Sequence, residues 1–381
     1  MRIPVYLDYN ATTPVDPRVA DAMEPYLHQH FGNPSSSHIY GRRAHEAVER
    51  AREQVATLIG ARPTEIIFTG CATEANNLAI RGVAHALRHK GMHLITSAVE
   101  HPSVMQPFRY LQEEGWEVGV IHVDSHGRVN ADDVAKALRD DTVLVSIMHA
   151  NNEVGTIQPI EEIAAITRSR GILFHTDAAQ STGKIPVSVN DLGVDLLTLA
   201  GHKFYATKGV GALYVRGNTP IQPVLVGAGH EHGLRPGTEN VPAIVGLGKA
   251  ARLAAERGTQ EMLRLRELRD DLHARLAQAI PGLALNGHPG HRLPNTLNLS
   301  FPDVDSRTLL AHASEHVAAS VGSACHEEGD TISGVLAAMG IAAEQARGAV
   351  RLSVGVSTTA TEIEHAAKAL ITAWQAVGKL G

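Results

Sequence analysis

The chain has 381 residues, 44% of them hydrophobic and 19% charged, which is ordinary for a globular protein with one large domain or a large and a smaller one. The formal net charge of -6 provides no general attraction to nucleic acid or to an anionic membrane surface. No apolar run is long enough to span a bilayer and the N-terminus lacks a signal-peptide apolar block, so we expect a cytoplasmic protein with no membrane partner.

The first two thirds of the chain alternate between short apolar strands and amphipathic helices. In the segment 41–59, for example, apolar residues recur at the spacing of one helical face. Continuous apolar strands between amphipathic helices predict an α/β fold, with a mostly parallel sheet covered by helices on both faces. The predicted strands are 65–69, 93–97, 117–123, 142–148, 171–175, 196–199 and 211–215, and the predicted helices are 41–59, 74–90, 131–139 and 161–170.

The pattern changes in the last third of the chain. A long helical stretch at 244–280 is predicted to break at Gly258, and strands are predicted at 295–300 and 349–353. We therefore predict a large domain at 15–255 and a smaller α+β domain formed by 1–14 and 256–381.

Polar residues follow several predicted strands, at the edge of a parallel sheet where ligands bind. In the segment 69–74 (TGCATE), small residues let backbone amides approach an anion at a helix N-terminus, and Thr73 can add a hydroxyl. A plain N-cap by Thr73 explains that segment equally well. In the segment 99–103 (VEHPS), His101 could stack on a planar ring and exchange protons, although a lone histidine is more often structural.

Three further polar segments complete the set: 149–155 (HANNEVG), 175–180 (HTDAAQ) and 198–205 (TLAGHKFY). The Asp177 carboxylate follows a buried strand, where a charge costs free energy unless it is paired, and a protonated ring nitrogen would be a suitable partner. An N-cap for the next helix is the commoner explanation of such a residue. Lys203 directly after an apolar strand is unexpected, and an imine with an aldehyde cofactor would remove the cost of its charge. Together the segments supply an anion cradle, a stacking ring, a carboxylate and an amine, which is what pyridoxal 5'-phosphate requires.

Six motifs identify a family resemblance that covers nearly the whole chain. The sequence resembles the cysteine desulfurases and the related selenocysteine lyases of the class V aminotransferase superfamily. The motifs are 6–14 (YLDYNATTP), 31–38 (FGNPSSSH), 201–203 (GHK), 230–240 (HEHGLRPGTEN), 322–325 (GSAC) and 351–355 (RLSVG). The resemblance implies the fold-type-I pyridoxal-phosphate transferase fold, with a seven-stranded sheet.

The resemblance also assigns roles to individual residues. Lys203 would form the Schiff base, Asp177 would pair with the pyridine nitrogen, Gln180 would contact the phenolic oxygen, and His101 would stack on the ring. Asn152 would lie near the ring and the substrate carboxylate, and Arg351 would bind that carboxylate through a bidentate guanidinium. The phosphate contacts would come from Ala72, Thr73 and His202, and from Thr238 of the neighbouring subunit, which implies a homodimer.

The chain departs from the family pattern at Ala200. This position commonly holds a phosphate-binding serine, so one hydroxyl is absent from the phosphate cradle and cofactor affinity is expected to be lower. Some selenocysteine lyases also lack this serine.

The chain has only two cysteines, Cys71 and Cys325, which excludes a disulfide framework and a cysteine-based metal cluster. The sequence also contains no HExxH or similar ligand spacing, so no metal site is predicted. The resemblance makes Cys325 the nucleophile that accepts sulfur, in a loop able to move between the cofactor and an acceptor protein. Cys71, at a helix N-terminus, is the other candidate, and we favour a small space-filling residue there.

The sequence therefore predicts an enzyme that converts L-cysteine to L-alanine and passes sulfur to Cys325 as a persulfide. Iron–sulfur assembly and the synthesis of other thio-compounds are the expected destinations of the sulfur. Selenocysteine lyase, acting on L-selenocysteine, is the nearest alternative. A transaminase would leave Cys325 without a role, and a non-catalytic sulfur-trafficking scaffold would leave Lys203, Asp177 and Arg351 without one.

Overall fold

A computed structural model of the protein describes residues 3–321 and 333–378. The strands are β1 (Val5–Tyr6), β2 (Ile66–Thr69), β3 (His93–Ser97), β4 (Glu117–Ile121), β5 (Thr142–Ser146), β6 (Leu173–Asp177), β7 (Leu196–Ala200), β8 (Gly211–Val215), β9 (Ala284–Asn286), β10 (Thr296–Ser300), β11 (Val317–Ala318) and β12 (Ala349–Ser353). The helices are α1 (Pro17–Met23), α2 (Pro25–His28), α3 (Ile39–Ile59), α4 (Ala72–Leu87), α5 (Pro102–Glu113), α6 (Ala131–Ala137), α7 (Ile160–Ser169), α8 (Val189–Leu192), α9 (Val241–Ala279), α10 (Ser306–Ala313), α11 (Gly334–Ala338), α12 (Ala343–Arg347) and α13 (Ala360–Val377).

Seven strands form the main sheet, in the order β2-β8-β7-β6-β5-β3-β4. The pairs from β7 through β6, β5 and β3 to β4 are parallel, whereas β8 runs antiparallel to both of its neighbours. This confirms the predicted α/β fold with a mostly parallel sheet of seven strands. Because parallel strands share one carboxyl edge, the loops after β3, β5, β6 and β7 meet there.

The predicted element boundaries differ from the structure by a few residues. The strand predicted at 171–175 is Leu173–Asp177, so it ends on the carboxylate itself. The helix predicted at 74–90 is Ala72–Leu87 and begins two residues earlier, with Cys71 as its N-cap. Helix α9 is interrupted at Gly258 (φ 51°, ψ -146°), where the sequence predicts a break.

Four hydrophobic clusters form the core of the described residues, and the smallest joins Val99, Met148 and Val154 to side chains from Val335 to Ala349. The first contains buried side chains between Val19 and Leu253, and a second combines Val5 and Leu7 with side chains from Leu265 to Ala373. A third cluster joins α4 and α5 to the outer side of the main sheet. Apart from Val5 and Leu7, the second cluster follows Gly258 in the sequence and the first precedes it, but the division into two domains stays a prediction.

Residues near the N-terminus belong to the smaller sheets. Strand β1 pairs in parallel with β11, with Val5 opposite Val317. Strand β10 pairs antiparallel with β9 and β12, which places Arg351 of β12 beside Asn298. In the part of the chain that the structure describes, no helix combines the length and apolar character needed to cross a membrane.

Candidate active site

A cavity of about 440 Å³ opens at the carboxyl edge of the main sheet. Most of the residues that the sequence singles out line this cavity, although they come from distant parts of the chain. These are Ala72, Thr73, His101, Asn152, Asp177, Gln180, His202, Lys203 and Arg351. Ala200, where the family commonly has serine, also lines it.

Lys203 lies in a short 3-10 turn directly after β7. Its Nζ donates hydrogen bonds to the carbonyl oxygens of Asn10 at 2.6 Å and Ala11 at 2.8 Å. Burial, helped by the nearby Arg351 guanidinium and opposed by Asp177, lowers the pKa of Lys203 to about 8. A larger share of neutral amine is therefore present near neutral pH than in an exposed lysine, and the neutral amine is the nucleophilic form.

Asp177 is buried at the end of β6, and both of its carboxylate oxygens have donors. Its Oδ2 accepts from Nδ2 of Asn76 at 2.8 Å, and its Oδ1 accepts from the backbone N–H of Ala179 at 2.9 Å. The N-cap interpretation of Asp177 is wrong, since the next helix begins only at Val189. The carboxylate instead caps a local turn and faces the cavity, where a cationic ring nitrogen would complete its pairing.

A hydrogen-bonded chain connects Asp177 to His101. Asn76 donates both to Asp177 and to the hydroxyl of Ser103 at 2.8 Å, and Ser103 contacts Nδ1 of His101 at 2.8 Å. The backbone N–H of Ser103 also donates to that Nδ1, so His101 acts as the N-cap of α5 and carries its proton on Nε2. Desolvation lowers the pKa of His101, opposed by Asp177 and helped by the Lys203 cation, which favours the neutral ring.

The start of α4 borders the cavity where the sequence predicts an anion cradle. Cys71 is the N-cap without a side-chain hydrogen bond, so the N-cap interpretation of Thr73 is wrong and its hydroxyl does not serve the helix end. A Cβ at Gly211 of β8 would lie 2.7 Å from the carbonyl carbon of Cys71 and 2.9 Å from the nitrogen of Ala72. The lack of a side chain at Gly211 lets β8 pass directly beside the helix start, whose first N–H groups have no partner within the helix.

His202 lies next to Lys203 in the same short 3-10 turn and also lines the cavity. Its Nδ1 is 3.1 Å from the hydroxyl oxygen of Thr12. Burial and then the nearby Lys203 lower the pKa of His202 to about 4. The ring is therefore neutral and presents one N–H donor.

Arg351 is almost completely buried and is held by two oxygen atoms. Its Nη2 donates to Oδ1 of Asp8 at 2.7 Å, and its Nη1 donates to the carbonyl oxygen of Asn152 at 3.2 Å. The guanidinium is thus fixed in place with further N–H groups left over. The sequence motif 6–14 contains Asp8, but only the structure reveals it as the partner of Arg351.

Asn10 is a further cavity residue to which the sequence assigns no role. Its Nδ2 donates to Oγ1 of Thr296 at 2.8 Å, and its Oδ1 accepts from Nδ2 of Asn295 at 3.0 Å. Glu100, next to His101, is also part of the lining, and burial raises its pKa to about 8. Its Oε1 accepts from the Ser97 hydroxyl at 2.5 Å and from the backbone N–H of Met148 at 2.9 Å.

One predicted site residue, Thr238, does not line this cavity in the single chain. Thr238 is exposed and lines a separate pocket with Arg235 and Asn240. Cys325 lies outside the described residues. The residues on either side of that segment adjoin the cavity, because Ser320 pairs with the backbone of Arg351 and Gly334 belongs to the cavity lining.

Comparisons with known proteins identify the family. The aminotransferase class-V family model matches residues 5–365. Cysteine desulfurase IscS of Dictyoglomus turgidum is 49% identical over 366 residues, which cover 96% of this chain and 93% of that protein. Cysteine desulfurase IscS of Pseudomonas aeruginosa is 47% identical over 385 residues, covering 100% of this chain and 94% of that protein.

Solved structures show the same likeness. A NifS-like protein superposes with a TM-score of 0.91 at 39% identity, covering 98% of this chain and 99% of the other. A structure described as SspA in complex with cysteine superposes with a TM-score of 0.81 at 38% identity, covering 92% of this chain and 98% of the other. The chain belongs to the class V aminotransferase family and, within it, to the cysteine desulfurases.

Proposed function

We propose that this protein is a pyridoxal-phosphate-dependent cysteine desulfurase, which converts L-cysteine to L-alanine and transfers the sulfur to Cys325. The observation that carries the proposal is the convergence of Lys203, Asp177 and Arg351 on one cavity, in a chain whose relatives are named cysteine desulfurases. A solved relative described as bound to cysteine supports the same substrate. Iron–sulfur cluster synthesis is the use of the sulfur that fits the IscS relatives, and a cytoplasmic location stays a prediction from the sequence.

The chemistry of the cavity fits pyridoxal phosphate. Lys203 offers an amine with a lowered pKa for the aldehyde, and Asp177 offers a buried carboxylate for the ring nitrogen. The start of α4, with Ala72 and Thr73, offers N–H groups for the phosphate, and neutral His202 can add one donor. His101 would lie against the ring, Gln180 would donate to its phenolic oxygen, and Ala200 would contribute no hydroxyl.

The residues divide the reaction between them. Bound pyridoxal phosphate supplies an electron sink for the substrate carbon that bears the amino group. Arg351 binds the substrate carboxylate with Asn152 nearby, Lys203 removes the α-proton, and the Nε2–H of His101 carries a proton within the cavity. The Cys325 thiolate forms an S–S bond with the substrate sulfur as the substrate Cβ–S bond breaks. The electron pair of the broken bond, together with one proton, completes the methyl group of alanine.

A homodimer is part of this proposal. Thr238 lies outside its own chain's cavity, as a residue that reaches a neighbouring subunit would. Large apolar side chains exposed on the single chain, including Phe31 and Val226, give a second copy apolar surface to cover. A sulfur-acceptor protein is the remaining expected partner.

A product assay tests the function. The purified protein, loaded with pyridoxal phosphate, is incubated with L-cysteine or L-selenocysteine, with and without a thiol reductant. We expect alanine from cysteine without any keto acid, and one sulfide per alanine when the reductant is present. Alanine formed only from selenocysteine would make the protein a selenocysteine lyase, and a keto-acid requirement would make it a transaminase.

Substitution of Arg351 tests substrate binding. Arg351→Lys removes the planar fork that contacts both Asp8 and the substrate carboxylate. Loss of a charge-assisted hydrogen bond costs about 1.5–3 kcal/mol, so we expect KM for cysteine to rise about tenfold to a hundredfold with a smaller change in kcat. Asp8→Asn serves as the matched variant: it keeps an acceptor near Arg351 but removes a competing carboxylate, so KM should stay the same or fall. An unchanged KM in Arg351→Lys would contradict the assignment.

A further inference from the structure

Lys184 is a half-buried lysine next to two residues of the cavity lining, and the proposed reaction does not use it. It lies in the segment after β6, and its Nζ donates to Oε1 of Gln180 at 2.7 Å and to Oδ1 of Asn10 at 3.1 Å. No carboxylate of residues 3–321 and 333–378 forms an ion pair with it within 4.0 Å. Burial, together with the cations Lys203 and Arg351, lowers the pKa of Lys184 well below its usual value. A lysine in such surroundings costs free energy, and its two hydrogen bonds hold the side chains of Gln180 and Asn10.

The contact with Lys184 determines which way the Gln180 amide faces. An amide has an oxygen that accepts and a nitrogen that donates, and the Nζ of a lysine donates to the oxygen. With its Oε1 held by Lys184, Gln180 points its Nε2 to the carbonyl oxygen of Asn10 at 2.9 Å. The amide nitrogen is therefore turned away from Lys184 and toward the backbone of Asn10, a residue of the cavity lining.

The carbonyl oxygen of Asn10 links Gln180 to the reactive amine. It accepts from Nε2 of Gln180 and also from Nζ of Lys203, at 2.6 Å. Two nitrogen donors, one from Gln180 and one from Lys203, thus lie against the same oxygen atom. A continuous set of hydrogen bonds runs from Lys184 through Gln180 and Asn10 to Lys203.

We propose that Lys184 is a positioning residue, which holds the amide of Gln180 so that its NH₂ group faces the same side of the cavity as the Lys203 amine. The inference deepens the proposed function and rests on it, because Gln180 would use this NH₂ group to donate to the phenolic oxygen of pyridoxal phosphate. Without Lys184, the Gln180 oxygen loses its donor and the amide is free to rotate. The oxygen would then face the cavity in part of the molecules and repel the phenolic oxygen.

A double-mutant cycle on cofactor binding tests this inference. The dissociation constant of pyridoxal phosphate is measured, without cysteine, for the wild type, Lys184→Met, Gln180→Ala and the double variant. We expect Lys184→Met to weaken cofactor binding about five- to tenfold when Gln180 is present, in the range of one lost hydrogen bond to a buried group. In the Gln180→Ala background the same change should alter the dissociation constant less than about twofold, since residues that act as a unit are not additive.

Two further readouts separate positioning from a general structural effect. The pH midpoint of the absorption change of the bound cofactor should shift in the same direction in Lys184→Met and in Gln180→Ala. Lys184→Arg, which keeps a cationic donor, should restore most of the binding, and Lys136→Met, at a lysine on α6 whose side chain is 74% exposed, is the matched control without effect. Thermal unfolding of each apo-protein verifies that the variants fold.

Equal losses of cofactor binding in both Gln180 backgrounds would overturn the inference, and so would a spectral midpoint that stays at the wild-type value in Lys184→Met. If Lys184→Met does not fold, Lys184→Ala, which also removes the donor to Gln180, takes its place in the cycle. Because no cysteine is present, a failure of the desulfurase assay leaves this cycle interpretable. A wild-type protein that does not bind pyridoxal phosphate would instead contradict the proposed function.

Discussion

Lys203→Ala is expected to abolish alanine formation from L-cysteine and to remove the absorption band of the lysine-bound cofactor. The substitution removes both the amine that reacts with the aldehyde and the group that takes the α-proton. A positioned proton-transfer group alone contributes roughly 10²–10⁴-fold to a rate, so the combined loss should take turnover to background. The measurements are an alanine assay and an absorption spectrum of protein supplied with pyridoxal phosphate.

The same prediction has a pH component. Because burial lowers the pKa of Lys203 to about 8, the neutral amine should predominate above that pH rather than only above the usual value for lysine. The rate of cofactor capture by the apo-protein should therefore rise with pH up to about 8 and level off above it. Lys208→Ala, at an exposed lysine in the following loop, is the matched control and should keep both spectrum and turnover. A normal spectrum in Lys203→Ala would refute the assignment.

Cys325→Ala is expected to stop sulfur transfer while leaving the bound cofactor and its spectrum unchanged. Ser320 and Gly334, on either side of the segment that contains Cys325, both adjoin the cavity. Four residues lie between Ser320 and Cys325 in the sequence, so the length of the chain alone limits Cys325 to at most about 18 Å from Ser320. Loss of the nucleophile removes the sulfur acceptor, since a methyl group cannot form a persulfide.

Cys71→Ala provides the matched control for Cys325. Cys71 is exposed at the cavity and lies at the start of α4, so it is the other thiol that could accept sulfur. We expect this variant to retain turnover and persulfide formation, which a mass measurement of the protein after one turnover detects. Sulfide release at the wild-type rate by Cys325→Ala, or loss of turnover in Cys71→Ala alone, would exchange the roles of the two cysteines.

The local helix-capping roles that the sequence suggests for two single residues are wrong. For Thr73 and Asp177 an N-cap is a reasonable expectation, because both residue types cap helices frequently. The structure excludes it for both, since α4 begins at Ala72 and no helix starts within ten residues after Asp177. His101 shows the opposite outcome, because it does cap a helix and lines the cavity as well.

The residues that the sequence left without a role have partners far away in the chain. Asn76 meets Asp177 across 101 positions, Lys184 meets Asn10 across 174, and Arg351 meets Asp8 across 343. None of these pairs produces a local pattern, so periodicity and spacing carry no signal for them. The only available hint is that Asp8 and Asn10 belong to the motif at 6–14.

The sequence by itself determined the fold class and, through the resemblance of its motifs, the family, and it predicted the side chains that would hold an aldehyde cofactor. The fold class could be predicted because apolar periodicity reports which segments become strands or helices, and because parallel strands bring their following loops to one edge. Only the tertiary structure decided how those side chains are held: Arg351 by Asp8, Asp177 by Asn76, and Gln180 by Lys184. These contacts depend on the packing of distant segments, which sets distances of a few ångströms that no local pattern encodes.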